Sequence, residues 1–198
     1  PAQFRYVVGC PHREQAGGIG GKTLRIIYED SQGDPKAGVS AFQKLVTVDR
    51  VPAVLGDLLS SVTLSVAPIA NRREVVLLSP ASSSPKLTDA GAYVFRNCPS
   101  DVYEGTVMAD YASETLKLER VAILRINNEY GVGIGSVFKK KFTENGGTIV
   151  AEESYAEDAT DFRTQITKVA AQNPQAVYLL GYKQMGYVLR QAKEVGLQ

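Results

Sequence analysis

Apolar and polar positions along this chain fall into short runs and helical stripes that alternate. Residues 23–30 (TLRIIYED) alternate in character and are rich in β-branched side chains, which predicts a strand. The turn cluster Ser31-Gln32-Gly33-Asp34 follows. Pro35 suits the first turn of a helix that places Val39, Phe42, Leu45 and Val46 on one face through about Arg50. Residues 51–55 read as a short buried strand ending at Gly56, and Ser60 or Ser61 can cap a helix that reaches about Arg72. Residues 75–78 predict another strand, residues 79–88 a Ser/Pro-rich loop, and residues 93–96 an extended segment. Ser100 or Asp101 caps a helix that reaches about Leu118.

The pattern then repeats. Residues 121–126 predict a strand, 133–144 a helix, and Asn145-Gly146-Gly147 a C-terminal stop. Residues 148–155 predict a strand, Thr160 or Asp161 a cap for a helix to about Gln172, 175–180 a strand, and 184–195 a helix. Strands separated by helices of about 10–15 residues form parallel βαβ units. The fold class is therefore α/β, with two Rossmann-like lobes whose parallel sheets are flanked by helices. The long helix ends and a fresh strand begins near 117–120, so the expected division is 1–118 and 119–198. Both lobes read as incomplete: the second stops after three βα units, and the first has no convincing opening unit.

Composition narrows the function classes. Of 198 residues, 44% are hydrophobic and 22% charged, as expected of a folded domain rather than a disordered chain. The net charge of +1, with both signs interspersed, argues against a nucleic-acid partner. Lys139-Lys140-Lys141, set between Phe138 and Phe142, reads as the solvated face of a helix. No apolar run approaches the ~20 residues of a membrane span, and none resembles a secretory signal. The chain starts at Pro1 without a methionine, which is expected of a piece of a longer sequence. Cys10 and Cys98 permit one bridge without predicting it, and with one histidine they offer no metal-ligand spacing.

Catalytic motifs fare poorly. Residues 16–23 (AGGIGGKT) fit a loose phosphate-loop pattern, but such a loop must open a helix whose N–H groups face the phosphates. Here it leads into LRIIYED, so a glycine-rich turn before a strand is the better reading. The single histidine, His12, has no supporting nucleophile motif, and no G-x-S-x-G elbow occurs. Glu152-Glu153 and Glu157-Asp158 lie in polar sequence and read as solvated surface. No cofactor, no metal and no enzymatic activity are expected.

Open α/β sheets bind ligands outside the carboxyl ends of their strands, and four loops stand there. Gly56-Asp57-Leu58-Leu59-Ser60-Ser61 leads into a helix, whose N–H groups and serine hydroxyls suit an anion such as a carboxylate; plain N-capping fits the same residues equally well. Ser79 to Pro85 suits a polar or zwitterionic ligand, and a merely structural loop is as common. Asn127 to Gly131 and Gly181-Tyr182-Lys183 place aromatic rings at two strand ends of the second lobe, where they can wall a pocket.

At these residues the chain resembles the periplasmic leucine/isoleucine/valine-binding proteins, members of the type I periplasmic binding fold. The resemblance runs from about Ala16 to Gln198 through AGGIGGKTLRIIYEDSQGDP, AFQKLV, VPAVLGDLLSS, PIA, VVLLSPASSSPKLTD, FRN, RVAILRINNEYGVG, FRTQITKV, VYLLGY and LRQAKEVGL. It implies a two-lobed, periplasmic or otherwise extracytoplasmic protein that closes on a small ligand and delivers it to the membrane permease of an ABC transporter. It implies that Ser60 and Ser83 supply hydroxyls to the ligand's α-carboxylate, and that backbone groups around Ala81 and Ser82 meet its amino and carboxylate groups. Tyr130 then matches an aromatic residue that closes the pocket, and Tyr182 one near the amino group. Leu59 stands where some members carry a cysteine, so their disulfide is not expected. Residues 1–15 do not resemble the family's first strand, loop and helix, and the acid that pairs with the ligand's ammonium is expected beyond Gln198. A ligand-sensing regulatory domain of the same fold is the main alternative, and a phosphate-loop nucleotide enzyme the remaining one.

Overall fold

Asp34 ends the first turn cluster by capping a helix. In the computed structural model of the protein, which describes residues 25–196, its carboxylate accepts the Ala37 N–H at 2.8 Å at the start of α1 (Pro35–Thr47). Pro35 occupies the first turn, where its missing N–H leaves no bond unmade. Strand β1 (Ala53–Leu55), helix α2 (Ser60–Arg73), strand β2 (Val76–Ser79), a 3-10 turn (Pro85–Asp89) and strand β3 (Val94–Arg96) follow. The three strands run parallel in the order β1-β2-β3. Phe42 from α1 and Val66, Ile69 and Ala70 from α2 close over Val75 and Leu77 to form the core beside this sheet.

The strand expected over residues 23–30 is not formed in its described part. Residues 25–30 join no ladder with the described strands, and Tyr28 is 58% exposed. Alternation supplies a propensity, but a strand exists through the ladder it makes. The glycine-rich stretch 16–23, His12 and Cys10 lie outside the described residues.

Helix α3 (Asp101–Asp110) is capped by Ser100, whose hydroxyl accepts the Val102 N–H at 3.3 Å. It ends eight residues earlier than Leu118, passing into a π-type turn (Tyr111–Thr115) closed by the Leu116 N–H on the Tyr111 carbonyl at 3.0 Å. Strand β4 (Arg120–Ile126), helix α4 (Glu129–Glu144), strand β5 (Thr148–Tyr155), helix α5 (Arg163–Ala170), strand β6 (Ala176–Leu180) and helix α6 (Gln184–Glu194) complete the described chain. The sheet order is β5-β4-β6, all parallel. Its central strand carries the most continuous apolar run in the unit, RVAILRI, and is buried on both faces. Val121 and Ile123 pack with Ile134, Phe138 and Phe142 on one side, while Leu124 and Ile126 pack with Phe162, Ile166 and Val188 on the other.

Helix α4 begins at Glu129, four residues before the Gly133 start expected from the sequence. Asn128 caps it, its side-chain oxygen accepting the Gly131 N–H at 3.0 Å. A side chain at Gly131 would overlap the Ile126 carbonyl, so glycine lets the helix start close over the end of β4. Helix α5 likewise begins at Arg163, where Asp161 accepts the Arg163 N–H at 3.1 Å from outside the helix.

The chain divides into two compact units, residues 25–82 with Asp89–Asn97, and Ser83–Thr88 with residues 98–196. The second unit therefore begins upstream of the 118/119 division suggested by the sequence. The reason is that α3 packs along α4, with Gly105 against Val137, and contributes Ala109 to the core around Phe138. Among the described residues no helix is long and apolar enough to cross a membrane.

Candidate functional site

In the first unit, the loops after β1 and β2 are joined through Asp57. Its main-chain carbonyl accepts the hydroxyls of Ser79 at 2.5 Å, Ser82 at 3.0 Å and Thr63 at 3.2 Å. The Thr63 and Ser82 hydroxyls lie 2.7 Å apart, and the Asp57 N–H donates to Thr63 Oγ1 at 3.2 Å. The Asp57 carboxylate in turn accepts the Leu59 N–H at 3.0 Å and the Ser31 hydroxyl. A network with this many mutual bonds in a buried setting fixes one loop geometry, because each group left unmatched would carry a desolvation cost.

Ser60 sits at the first position of α2 and is 2% exposed. It is not the side-chain cap that the sequence suggested, and neither is Ser61: Leu59 occupies the cap position and makes no side-chain bond. Asp57 takes over part of that task from two residues upstream by accepting the Leu59 N–H. In the next loop Ser79 Oγ accepts the Ser82 N–H at 2.9 Å and the Ala81 N–H at 3.4 Å. The Ser82 hydroxyl also reaches the Leu58 carbonyl at 3.0 Å. Ala81 and Ser82 are thus held through Ser79.

The second unit holds the remaining predicted residues. The Ser83 carbonyl accepts the Asp101 N–H at the start of α3 at 2.9 Å. Tyr130 in the first turn of α4 stacks on Tyr182, just past the end of β6, with ring centroids 5.4 Å apart and an interplanar angle of 20°. Asn128 faces both sides of this corner: beyond capping α4, its amide nitrogen donates to Glu157 at 2.5 Å and lies 3.5 Å from the Tyr182 hydroxyl. Below them the Tyr155 hydroxyl donates to the Leu180 carbonyl at 2.7 Å, tying the ends of β5 and β6 together.

Burial dominates the protonation of these phenols. It pushes Tyr130 and Tyr155 up to about 12, with nearby carboxylates Glu104 and Asp101 adding to the shift at Tyr130 and the Tyr182 phenol adding to that at Tyr155. Tyr182 is also raised, by burial first, against a lowering contribution from Asn128. A tyrosine raised above its unfolded value of about 10 contributes stability that is fully present below that pH and lost as pH climbs through the folded value. Stability should therefore fall between pH 10 and about 12, with the phenolate absorbance of Tyr130 and Tyr155 appearing near the upper end. Spectrophotometric titration of the wild type against Tyr130→Phe and Tyr155→Phe checks this. Loss of the corresponding absorbance near pH 10 would contradict it.

Three residues of this arrangement escape a reading of motifs: Asp57, Thr63 and Glu157. Asp57 and Thr63 act through main-chain carbonyl and hydroxyl bonds that no spacing announces. Glu157 carried a positional signal, because it is the second residue past its strand, as Asn128 and Tyr182 are past theirs.

A family model described as periplasmic binding protein matches residues 12–198. The chain is 33% identical over 186 residues to Leu/Ile/Val-binding protein homolog 3 of Brucella melitensis, covering 93% of this chain and 50% of that protein. Among solved structures it is similar to a leucine binding protein of Thermotoga maritima, with a TM-score of 0.82 at 29% identity over 89% of this chain and 51% of that one. It is also similar to the branched-chain amino acid transporter substrate binding protein of Streptococcus pneumoniae in complex with isoleucine, with a TM-score of 0.84 at 29% identity over 95% and 54%. The chain spans about half the length of the curated relatives it matches. On this match over nearly its whole length, the chain belongs to the periplasmic binding protein family.

Proposed function

We propose that this chain is the ligand-capturing part of an extracytoplasmic solute-binding protein, which takes up an aliphatic amino acid or a close carboxylate-bearing analogue and passes it to the permease of an ABC transporter. The observation that carries the reading is the placement of the polar and aromatic residues. In each unit they gather in the loops immediately past the carboxyl ends of parallel strands, where open α/β sheets take their ligands. Ser60 and Ser83 donate hydroxyls to the ligand carboxylate, aided by the N-terminal end of α2. Main-chain groups of Ala81 and Ser82 complete the polar contacts, and Tyr130 and Tyr182 present aromatic faces to the rest of the ligand. The work is binding, with no bond made or broken.

Thermal unfolding of the full-length protein with and without ligand tests this. A ligand that binds the folded state at about 100 times its Kd adds about 2.7 kcal/mol of stability. L-leucine, L-isoleucine or L-valine should raise the midpoint by several degrees, while Mg-ATP should not. A shift with Mg-ATP and none with any aliphatic amino acid would overturn the proposal.

A further inference from the structure

Asn145 and Gly146 form the one Asn-Gly pair in the sequence, and they stand in the turn that ends α4. Glycine has no side chain to shield its nitrogen, and its main chain bends freely. In such a pair the glycine nitrogen attacks the asparagine side-chain carbonyl carbon. A C–N bond forms, closing a cyclic succinimide. The Cγ–Nδ2 bond breaks, and ammonia leaves with the proton given up by the glycine. Water then opens the ring at either carbonyl, leaving aspartate or isoaspartate where the asparagine stood.

The fold holds both reacting groups. Asn145 Nδ2 donates to Asp110 Oδ1 and to Ser113 Oγ, each at 2.8 Å. The amide orientation is settled by these partners: the Asp110 carboxylate can only accept, and the Ser113 hydroxyl donates its own proton to the Ala109 carbonyl at 2.8 Å. The Gly146 N–H, whose proton must leave for the attack, donates to the Thr143 carbonyl at 3.0 Å. Asp110 closes α3 and Ser113 lies in the π-type turn after it, so this one amide ties the end of α3 to the end of α4. Lys141, in the last turn of α4, adds an ion pair to Asp110 at 3.2 Å. The Asn145 bond is the foremost cause that holds the Asp110 carboxyl below its usual value, ahead of Lys141.

We propose that Asn145 is a site of spontaneous deamidation gated by this latch, and that the reaction releases the latch irreversibly. The amide must let go of α3 before Gly146 can attack, so conversion follows the open population of the α3–α4 junction. The product carboxylate has no proton to donate and would face the Asp110 carboxylate, where like charges repel. The end of α3 is then held by the Lys141 pair and by the packing of Ala109 and Ala112 around Phe138.

The test follows conversion at Asn145 by peptide mapping and mass spectrometry in the full-length protein, held native at mildly alkaline pH and, in parallel, unfolded in guanidinium chloride. One charge-assisted bond shifts an opening equilibrium about 10- to 100-fold, so the native wild type should convert at least about 10-fold more slowly than the unfolded chain. Asp110→Ala should speed native conversion by about 10- to 100-fold, and the milder Ser113→Ala by about 2- to 10-fold. Asn145→Asp stands in for the product. Its thermal midpoint should fall below that of the wild type, and adding Asp110→Asn, which puts a donor opposite the new carboxylate, should recover it. Asp110→Asn alone should not raise the midpoint. A native wild type that converts as fast as the unfolded chain, or at a rate that neither variant changes, would overturn the gate. An unfolded chain that keeps its amide would remove the site altogether. A midpoint unchanged by Asn145→Asp, or lowered without recovery by Asp110→Asn, would overturn the release.

Discussion

Replacing Ser60 and Ser83 together by alanine will weaken L-leucine binding by about 100-fold or more in the full-length protein. Hydrogen bonds to a charged group are worth about 1.5–3 kcal/mol each, and about 1.4 kcal/mol is a factor of ten in affinity. Each single change should therefore cost roughly 10- to 100-fold, and the double variant less than the product, because both hydroxyls would address one carboxylate. Ser60 has no slack in which to compensate: it is buried at the first position of α2, and the loop before it is fixed by the bonds on Asp57. Calorimetric titration of the three variants measures this. Affinities within a factor of two of the wild type in all three would remove both serines from the site.

Phe138→Ala will be the most damaging of single changes to the scaffold of the second unit. Phe138 is 1% exposed, lies 4.3 Å from the ring of Tyr178 and 5.5 Å from that of Phe142, and anchors α4 on the central strand β4. Truncating a buried phenylalanine costs about 3–5 kcal/mol through lost burial and the cavity left behind. Helix α4 also carries Tyr130, so the loss should reach the Tyr130–Tyr182 corner as weaker stacking. Denaturant unfolding followed by circular dichroism reads the stability change. Lys140→Ala, on the solvated face of the same helix at 80% side-chain exposure, serves as a control expected within about 0.5 kcal/mol of the wild type. A loss below about 1 kcal/mol for Phe138→Ala would contradict the packing described here.

The parts of this molecule that can be read from sequence are those fixed by local pattern. The apolar run VAIL within RVAILRI announces a strand because its β-branched and aliphatic residues fill successive positions, and β4 lies at the centre of its sheet. Pro35 announces the start of α1 because it acts on the first turn alone. What depends on distant partners is hidden. Residues 25–30 alternate as a strand does, yet they form no ladder with the described strands, and no property of the six residues reveals that. Helix α4 starts at Glu129, four residues before the Gly133 expected from the sequence. In the folded unit, Gly131 is what allows the helix to begin against Ile126. Ser60 looked like a cap because it is a serine at a helix start, whereas Asp57, held in a loop by three hydroxyls from elsewhere, fixes the approach to that helix.

The candidate site divides in the same way. The positions of Tyr130 and Tyr182 past strand ends can be read from the sequence, and the fold stacks the two rings on each other. Glu157 was not, since a glutamate beside an aspartate in polar sequence resembles solvated surface. Only the parallel order of β5, β4 and β6 brings its position level with Asn128 and Tyr182.

The most direct test of the whole account is a crystal structure of the full-length protein with L-leucine bound. The amino acid should lie in the loops past the strand ends, with its carboxylate oxygens about 2.6–3.0 Å from the hydroxyls of Ser60 and Ser83. Leucine bound elsewhere on the molecule, or bound there with its carboxylate turned away from both serines, would contradict it.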